Sequence, residues 1–213
     1  MTARAVRYLV AAGTHPGEAW RTSPVSLRLG GWSSSAFTAI VLDRRRCGPR
    51  LVEQHWSYMD QFDTRMIARG PTFTSDGSLT GSVHVLDLPD ASAARAFAFD
   101  EPGYQAGAYR DVLLRRWQNT LGRTMWDFTD DRAGNNRYLV LGFTSESATD
   151  ATEPPSRDDL ILFGPLLSDD AALVLGAAAL LEAPDADTAR DTLTPDRYTG
   201  IEVHQWRFGG RPT

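Results

Sequence analysis

Gly70–Gly81 reads GPTFTSDGSLTG and Gly164–Gly176 reads GPLLSDDAALVLG. Each stretch opens on Gly-Pro, passes through hydrophobic positions, reaches an Asp and closes on Gly. The likeness continues outward. After the first comes SVHVLDLPDASAARAF and after the second AAALLEAPDADTARDT, where Leu86 and Leu181 fix an offset of 95 (181 − 86). On that offset Pro89, Asp90, Ala91, Ala94 and Arg95 meet Pro184, Asp185, Ala186, Ala189 and Arg190. A Tyr and a nearby Gly follow in both, Tyr104 with Gly107 and Tyr198 with Gly200, and each copy closes on an apolar run ending in Trp117 or Trp206. A conserved order of turn, strand, capped helix and strand marks a tandem duplication, divided at the polar linker TDDRAGNN over residues 129–136.

Each copy reads the same way. A first strand is expected at Ala36–Arg44 (AFTAIVLDR) and at Arg137–Phe143 (RYLVLGF). RYLV also stands at Arg7, so residues 6–12 are an alternative first strand, which would leave 13–50 as a long insertion. In the first copy RLVEQHWSYMDQFDTRM carries Val52, Trp56, Met59 and Phe62 on one helical face. A Gly-Pro turn, a strand over Gly81–Leu88, a helix entered at Pro89-Asp90 and a strand ending in Trp117 complete it. The order β-α-β-β-α-β is the ferredoxin-like split unit, whose bare sheet face needs burial, so two copies press face to face.

These residues carry a resemblance. GPTFTSDG, the helix ARAFAFDEPGYQAGAY and the strand ending in Trp are similar to the YCII-related family of the dimeric α+β barrel superfamily. The family's recurring signals are a helix His, a Gly-Pro followed by Asp, and a helix ending in Asp-Pro-Tyr-x-x-Gly. His55, Gly70-Pro71 with Asp76-Gly77, and the altered DEPGYQAG of Asp100–Gly107 match them. The resemblance implies an α+β fold, two ferredoxin-like YCII-type repeats forming an intramolecular barrel, a pseudo-dimer within one chain. The expected organisation is an N-terminal extension over 1–35, repeat one over 36–128 as the active half, the linker 129–136, and repeat two over 137–213 as a structural half. Repeat two is eroded: SESATDATEPPSRDD has no histidine, and Pro154-Pro155 breaks a helix there.

The resemblance also implies a cleft lined by a His–Asp pair, here His55 and Asp76. His55 is then a general acid/base, since its unperturbed pKa lies nearest neutrality, and Asp76 orients it. The plainer readings are a half-buried helix histidine and an Asp-Gly turn residue; Asp170, at the matching place with no histidine, favours the turn for one of the two. Trp56, Tyr58, Met59, His84 and Tyr104 are the candidate substrate-binding residues. Trp117, Trp126 and Trp206 either wall a pocket or fill the core. His84 and His204 sit mid-strand and meet if both face the barrel interior. Arg44-Arg45-Arg46 is a solvated loop or a lure for an anion. No His-x-His or His-x-x-x-His spacing is present, so no metal is expected.

The remaining classes are narrowed by composition. All 22 basic residues are Arg, which removes lysine Schiff-base chemistry and a P-loop lysine. A net charge of −5 disfavours nucleic acid as a partner. The single Cys47 permits no internal disulfide, no apolar run reaches a membrane span and no signal peptide is apparent at the N-terminus, so a cytoplasmic protein is expected. Nucleotide fingerprints and nucleophile elbows are missing, and no cofactor is expected. The resulting expectation is a cofactor-independent lyase or isomerase on a small cyclic or aromatic metabolite, the class that relatives such as a dehydrochlorinase and muconolactone isomerases imply. The alternatives are a non-catalytic binding module and a cofactor-free monooxygenase. Either a monomeric pseudo-dimer or a homodimer fits.

Overall fold

A computed structural model describes residues 6–13, 49–109, 111–129, 135–148 and 153–211. Eight strands close into one antiparallel barrel: β1 (Val6–Gly13), β2 (Met66–Phe73), β3 (Leu79–Leu88), β4 (Asp111–Trp117), β5 (Asn136–Ala148), β6 (Leu160–Leu167), β7 (Val174–Ala183) and β8 (Gly200–Trp206). Around the barrel they run β1-β3-β2-β8-β5-β7-β6-β4. Helices α1 (Pro49–Asp60), α2 (Ala91–Phe99) and α3 (Pro102–Gln105) belong to the first half, and α4 (Ala186–Arg190) to the second. The chain is therefore an α+β pseudo-dimer, each half a β-sheet with its helices outside. Among the described residues no helix is long and apolar enough to cross a membrane.

The halves correspond strand by strand. β1 lies between β3 and β4 as β5 lies between β7 and β8. Tyr8 faces Leu86 as Tyr138 faces Leu181, and Arg7 faces Asp87 as Arg137 faces Glu182. The last two pairs are salt bridges, 2.8 Å and 3.0 Å. The first-strand position of the first half is thus taken by Val6–Gly13, the RYLV alternative, and not by Ala36–Arg44. Residues 36–44, with Arg44-Arg45-Arg46, lie outside the described residues. Cross-strand partners decide the matter: the Arg of RYLV needs an acid opposite it on the central strand, and LDLP and LEAP each supply one.

Gly70-Pro71 and Gly164-Pro165 are not turns, as expected, but mid-strand residues of β2 and β6. They form the two joints of the barrel. β2 meets β8 only at Thr72–Trp206 and Phe73–Gln205, and β4 meets β6 only at Arg116–Leu167 and Trp117–Leu166. Just past each Trp, the next backbone N–H donates to a proline carbonyl, Arg207 to Pro71 at 3.1 Å and Gln118 to Pro165 at 3.2 Å. A Cβ on Gly70 would lie 1.8 Å from the Arg207 carbonyl oxygen, and one on Gly164 1.7 Å from that of Gln118. Only glycine lets the opposite half approach this closely.

Alternation along the strands sorts the side chains. Leu9, Ile67, Val83, Val85, Leu113, Trp117, Leu139, Leu141, Ile161, Leu166, Ala178, Leu180 and Trp206 come from all eight strands and fill the interior. Facing outward in the first half, Tyr8, Val10, Met66, Leu86 and Leu88 meet Met59 of α1 and Ala94, Phe97 and Ala98 of α2. The helix expected over Arg50–Met66 ends at Asp60, and Met66 opens β2 instead. In the second half α4 is only five residues long, and residues 153–159, holding Pro154-Pro155, contain no helix. Asp90 and Asp185 cap their helices as expected, accepting from Ala93 N at 2.8 Å and Thr188 N at 2.7 Å.

Candidate functional site

His55 sits on the inward side of α1, buried at 7 % exposure. Its Nδ1–H donates to Glu101 Oε1 at 2.8 Å. Glu101 is 3 % exposed and is itself fixed by local chain geometry. It is the N-cap of α3, with Pro102 at the first helical position, and its other oxygen accepts from Tyr104 N at 2.8 Å. Burial alone would raise its pKa; the bonds from His55 and from the Gly103 and Tyr104 backbone prevail and hold it below the usual carboxylate range. A buried, ionised carboxylate thus fixes the imidazole's tautomer and orientation. Among the described residues Nε2 of His55 has no hydrogen-bond partner.

The expected partner, Asp76, lies elsewhere. It occupies the exposed turn joining β2 to β3, where it accepts from the Thr74 hydroxyl and from Ser78 N at 3.0 Å. Those bonds pull its pKa down to about 2. Asp170 does the same in the second half, accepting from the Ser168 hydroxyl and from Ala172 N. The row of β3 that faces His55 is at His84, five strand residues (84 − 79) beyond the start of β3 at Leu79. At strand rise that is roughly 17 Å. The His55–Asp76 pairing is therefore corrected to His55–Glu101, and Asp76 is a turn residue on both the geometric and the symmetry argument.

The remaining candidates divide. Trp56, half-buried, stands edge-on to His55 at 5.3 Å between ring centroids. His84 approaches His55 at 6.3 Å and Phe97 at 5.8 Å, also edge-on. Tyr58 uses its hydroxyl to bond the Phe97 carbonyl at 3.1 Å, and burial with the Asp100 and Glu101 charges pushes its pKa up to about 12. It is a clasp between α1 and α2. Met59 is packed in the core, and the Tyr104 ring stacks edge-on against Phe99 at 5.0 Å. Trp117 and Trp206 are barrel core, while Trp126 is exposed under the Arg69 guanidinium at 5.9 Å.

His204 shares the interior face with Trp206, two residues on, and lies 3.7 Å from Glu202. His84 is turned the other way, toward the helices, since Val83 and Val85 take the interior. The two histidines do not meet across the barrel.

Glu101 is the site residue that the sequence reading passed over. The sequence signals only its role as a cap: in EPGY a Pro at a helix's first position makes the preceding residue the N-cap, and nothing local shows that the carboxylate also meets His55. Arg69 is the other. It pairs with His84 across β2–β3 and is bonded to Asp63 at 2.7 Å and to the Gly209 carbonyl at 3.3 Å. Among the described residues no three His, Cys, Asp or Glu side chains gather as a metal-binding cluster.

Among the solved structures similar to this chain, two are matched over nearly their whole length. A 5-chloro-2-hydroxyhydroquinone dehydrochlorinase from Burkholderia phenoliruptrix AC1100, in complex with 2,5-dihydroxybenzoquinone, is 17 % identical with a TM-score of 0.37, over 55 % of this chain and 98 % of that one. A putative monooxygenase from Lactobacillus acidophilus NCFM is 7 % identical with a TM-score of 0.42, over 95 % of this chain and 92 % of that one. No curated protein sequence matches. Residues 46–118, which span α1 to β4 and hold His55, His84 and Glu101, match the family model of the YCII-related domain, and this part of the chain is such a domain.

Proposed function

We propose that the first half is the catalytic half of an acid–base enzyme acting on a small cyclic or aromatic molecule, with His55 as the proton-transfer group and Glu101 as its positioning residue. One observation carries this reading: a buried imidazole whose Nδ1–H is held at 2.8 Å by an ionised carboxylate, with Nε2 left for a ligand. Such a pair works as follows. Nε2 takes a proton from a carbon beside a carbonyl, or from a hydroxyl, and Glu101 stabilises the imidazolium that forms. The electron pair left behind moves into an enolate or phenolate. The proton is then returned, to a different carbon in an isomerisation, to the carbonyl oxygen in an enolisation, or to a leaving group in an elimination. Positioned proton transfer is sufficient for each of these steps. Trp56, half-buried beside His55, supplies an apolar edge against which a ring can lie.

The test is hydrogen–deuterium exchange. The protein is incubated in D2O with a panel of cyclic ketones and phenols, and loss of C–H signal is followed by proton NMR. Protein-dependent exchange that falls by about 10²–10⁴ in His55→Ala is expected. Exchange that is the same in His55→Ala and the wild type overturns the assignment.

A further inference from the structure

We propose that His84 is a second ligand-binding group of this site, an uncharged imidazole that hydrogen-bonds a hydroxyl or carbonyl oxygen of the molecule on which His55 acts. The inference rests on the reading of His55 given above and extends it to the class of substrate.

His84 stands mid-strand in β3, between Val10 of β1 and Arg69 of β2, at 7 % exposure. It is directed to the helix side and presents its ring to His55 and Phe97 at 6.3 Å and 5.8 Å. An imidazole carries two polar nitrogens, each able to take one hydrogen bond. Among the described residues neither nitrogen of His84 has a hydrogen-bond partner. The polar neighbours are committed elsewhere: Glu101 to His55 and the Tyr104 backbone, and Arg69 to Asp63, the Gly209 carbonyl and the Trp126 ring.

The fold does not ask for a histidine here. Val10 faces His84 as Val140 faces Ala179 in the second half, so the equivalent residue is an alanine. That half also lacks a counterpart of α1 and of His55 among the described residues. Histidine on the strand and histidine on the helix therefore occur together, in one half and not in the other. This correlation within the chain points to a shared ligand.

The charge state then selects the ligand's chemistry. Burial first, and the nearby His55 and Arg69 charges after it, push the His84 pKa down to about 3. At neutral pH the ring offers one N–H and one lone pair. It can donate to a carbonyl or to an oxygen on which charge develops, or accept from a hydroxyl, without delivering a proton of its own. It offers no ion pair to a carboxylate. A ring-bearing phenol, alcohol or ketone fits these demands, with its oxygen between the two imidazoles.

The experiment is a titration of the full chain, labelled with 15N-histidine, read by two-bond proton–nitrogen correlation of the imidazole rings at pH 7. Phenol is the probe, with toluene and benzoate as comparators. The expected result is a saturable shift of the ring nitrogens of both His84 and His55 with phenol only. Binding is expected to weaken at least tenfold in His84→Val and to recover in part in His84→Gln, which keeps a donor and an acceptor. Shifts of the wild type confined to His55 overturn the role of His84 and leave that of His55 standing, and unchanged binding to a folded His84→Val does the same. Equal shifts with toluene show an apolar contact and also overturn it. If phenol moves neither ring, both readings fall. Because the wild type alone distinguishes these cases, the result does not depend on how His84→Val folds.

Discussion

At the scale of single residues, the fold places two acids that look alike in sequence into opposite roles. Asp76 has Asp170 as its double, and both satisfy their own turn. Glu101 is buried against a histidine and a helix N-terminus at once. Removing it unpairs His55 and uncaps α3. Glu101→Ala is accordingly expected to cost roughly 2–4 kcal/mol in denaturant unfolding, the sum of an unsatisfied buried partner and a lost cap. It is also expected to abolish the downfield imidazole N–H signal of His55. Asp76→Ala is expected to leave that signal in place and to lower the melting temperature only slightly. If the outcomes are exchanged between the two variants, the assignment of partners is wrong. The helix around His55 was legible from its apolar spacing, and the histidine stood out through the family resemblance. Its acid was not, because Glu101 meets it across 46 residues and through a four-residue helix that periodicity cannot register.

At the scale of elements, the repeated Gly-Pro carries the architecture. It was legible as a duplication but misread as a turn, since Gly and Pro commonly punctuate chains. Both instead mark places where β2 and β6 receive the other half's backbone. Gly164→Ala would drive a methyl group into the Gln118 carbonyl. Overpacking of side chains costs about 1–3 kcal/mol, and a backbone obstacle belongs at or above the top of that range. A Gly164→Ala protein that melts like the wild type would show that the joint is not where it is placed here. The true turns differ between the halves in one informative way. Gly77 takes the left-handed conformation at φ 82°, and its counterpart Ala171 takes it at φ 61°. Alanine pays a steric penalty there, so Ala171→Gly is expected to stabilise the protein by about 1 kcal/mol, and an unchanged or lower midpoint would contradict this. The first strand was the least legible element. RYLV twice over was the correct clue, but only the register, with Arg7 opposite Asp87, gives it priority over the equally apolar Ala36–Arg44 segment.

At the scale of the whole molecule, the interior belongs to neither half. Trp117 and Trp206 lie in one cluster fed by every strand, so the barrel has no half that keeps its core alone. Unfolding is therefore expected to be a single transition, and a charge imposed at one site is felt by the entire fold. His84 makes this measurable. Its pKa falls from 6.5 in the open chain to about 3 in the folded one. Between those values the unfolded chain binds a proton that the folded chain refuses. Stability is complete above pH 6.5 and is lost as the pH falls, at up to about 1.4 kcal/mol per unit. The carboxylates with lowered pKa act in the same direction, but only below their own ordinary values of 3.8 to 4.5. The interval from pH 6.5 to 5 therefore isolates the histidines. Over it the wild type is expected to lose about 2 kcal/mol on account of His84. In His84→Val that share of the slope should vanish, with the other histidines common to both proteins. Urea unfolding read by tryptophan fluorescence at several pH values decides it. A stability that falls more steeply on acidification in the wild type than in His84→Val places a refused proton at His84; equal slopes would mean that the imidazole takes its proton within the fold, and that it is not the neutral group on which the proposed binding of an uncharged oxygen depends.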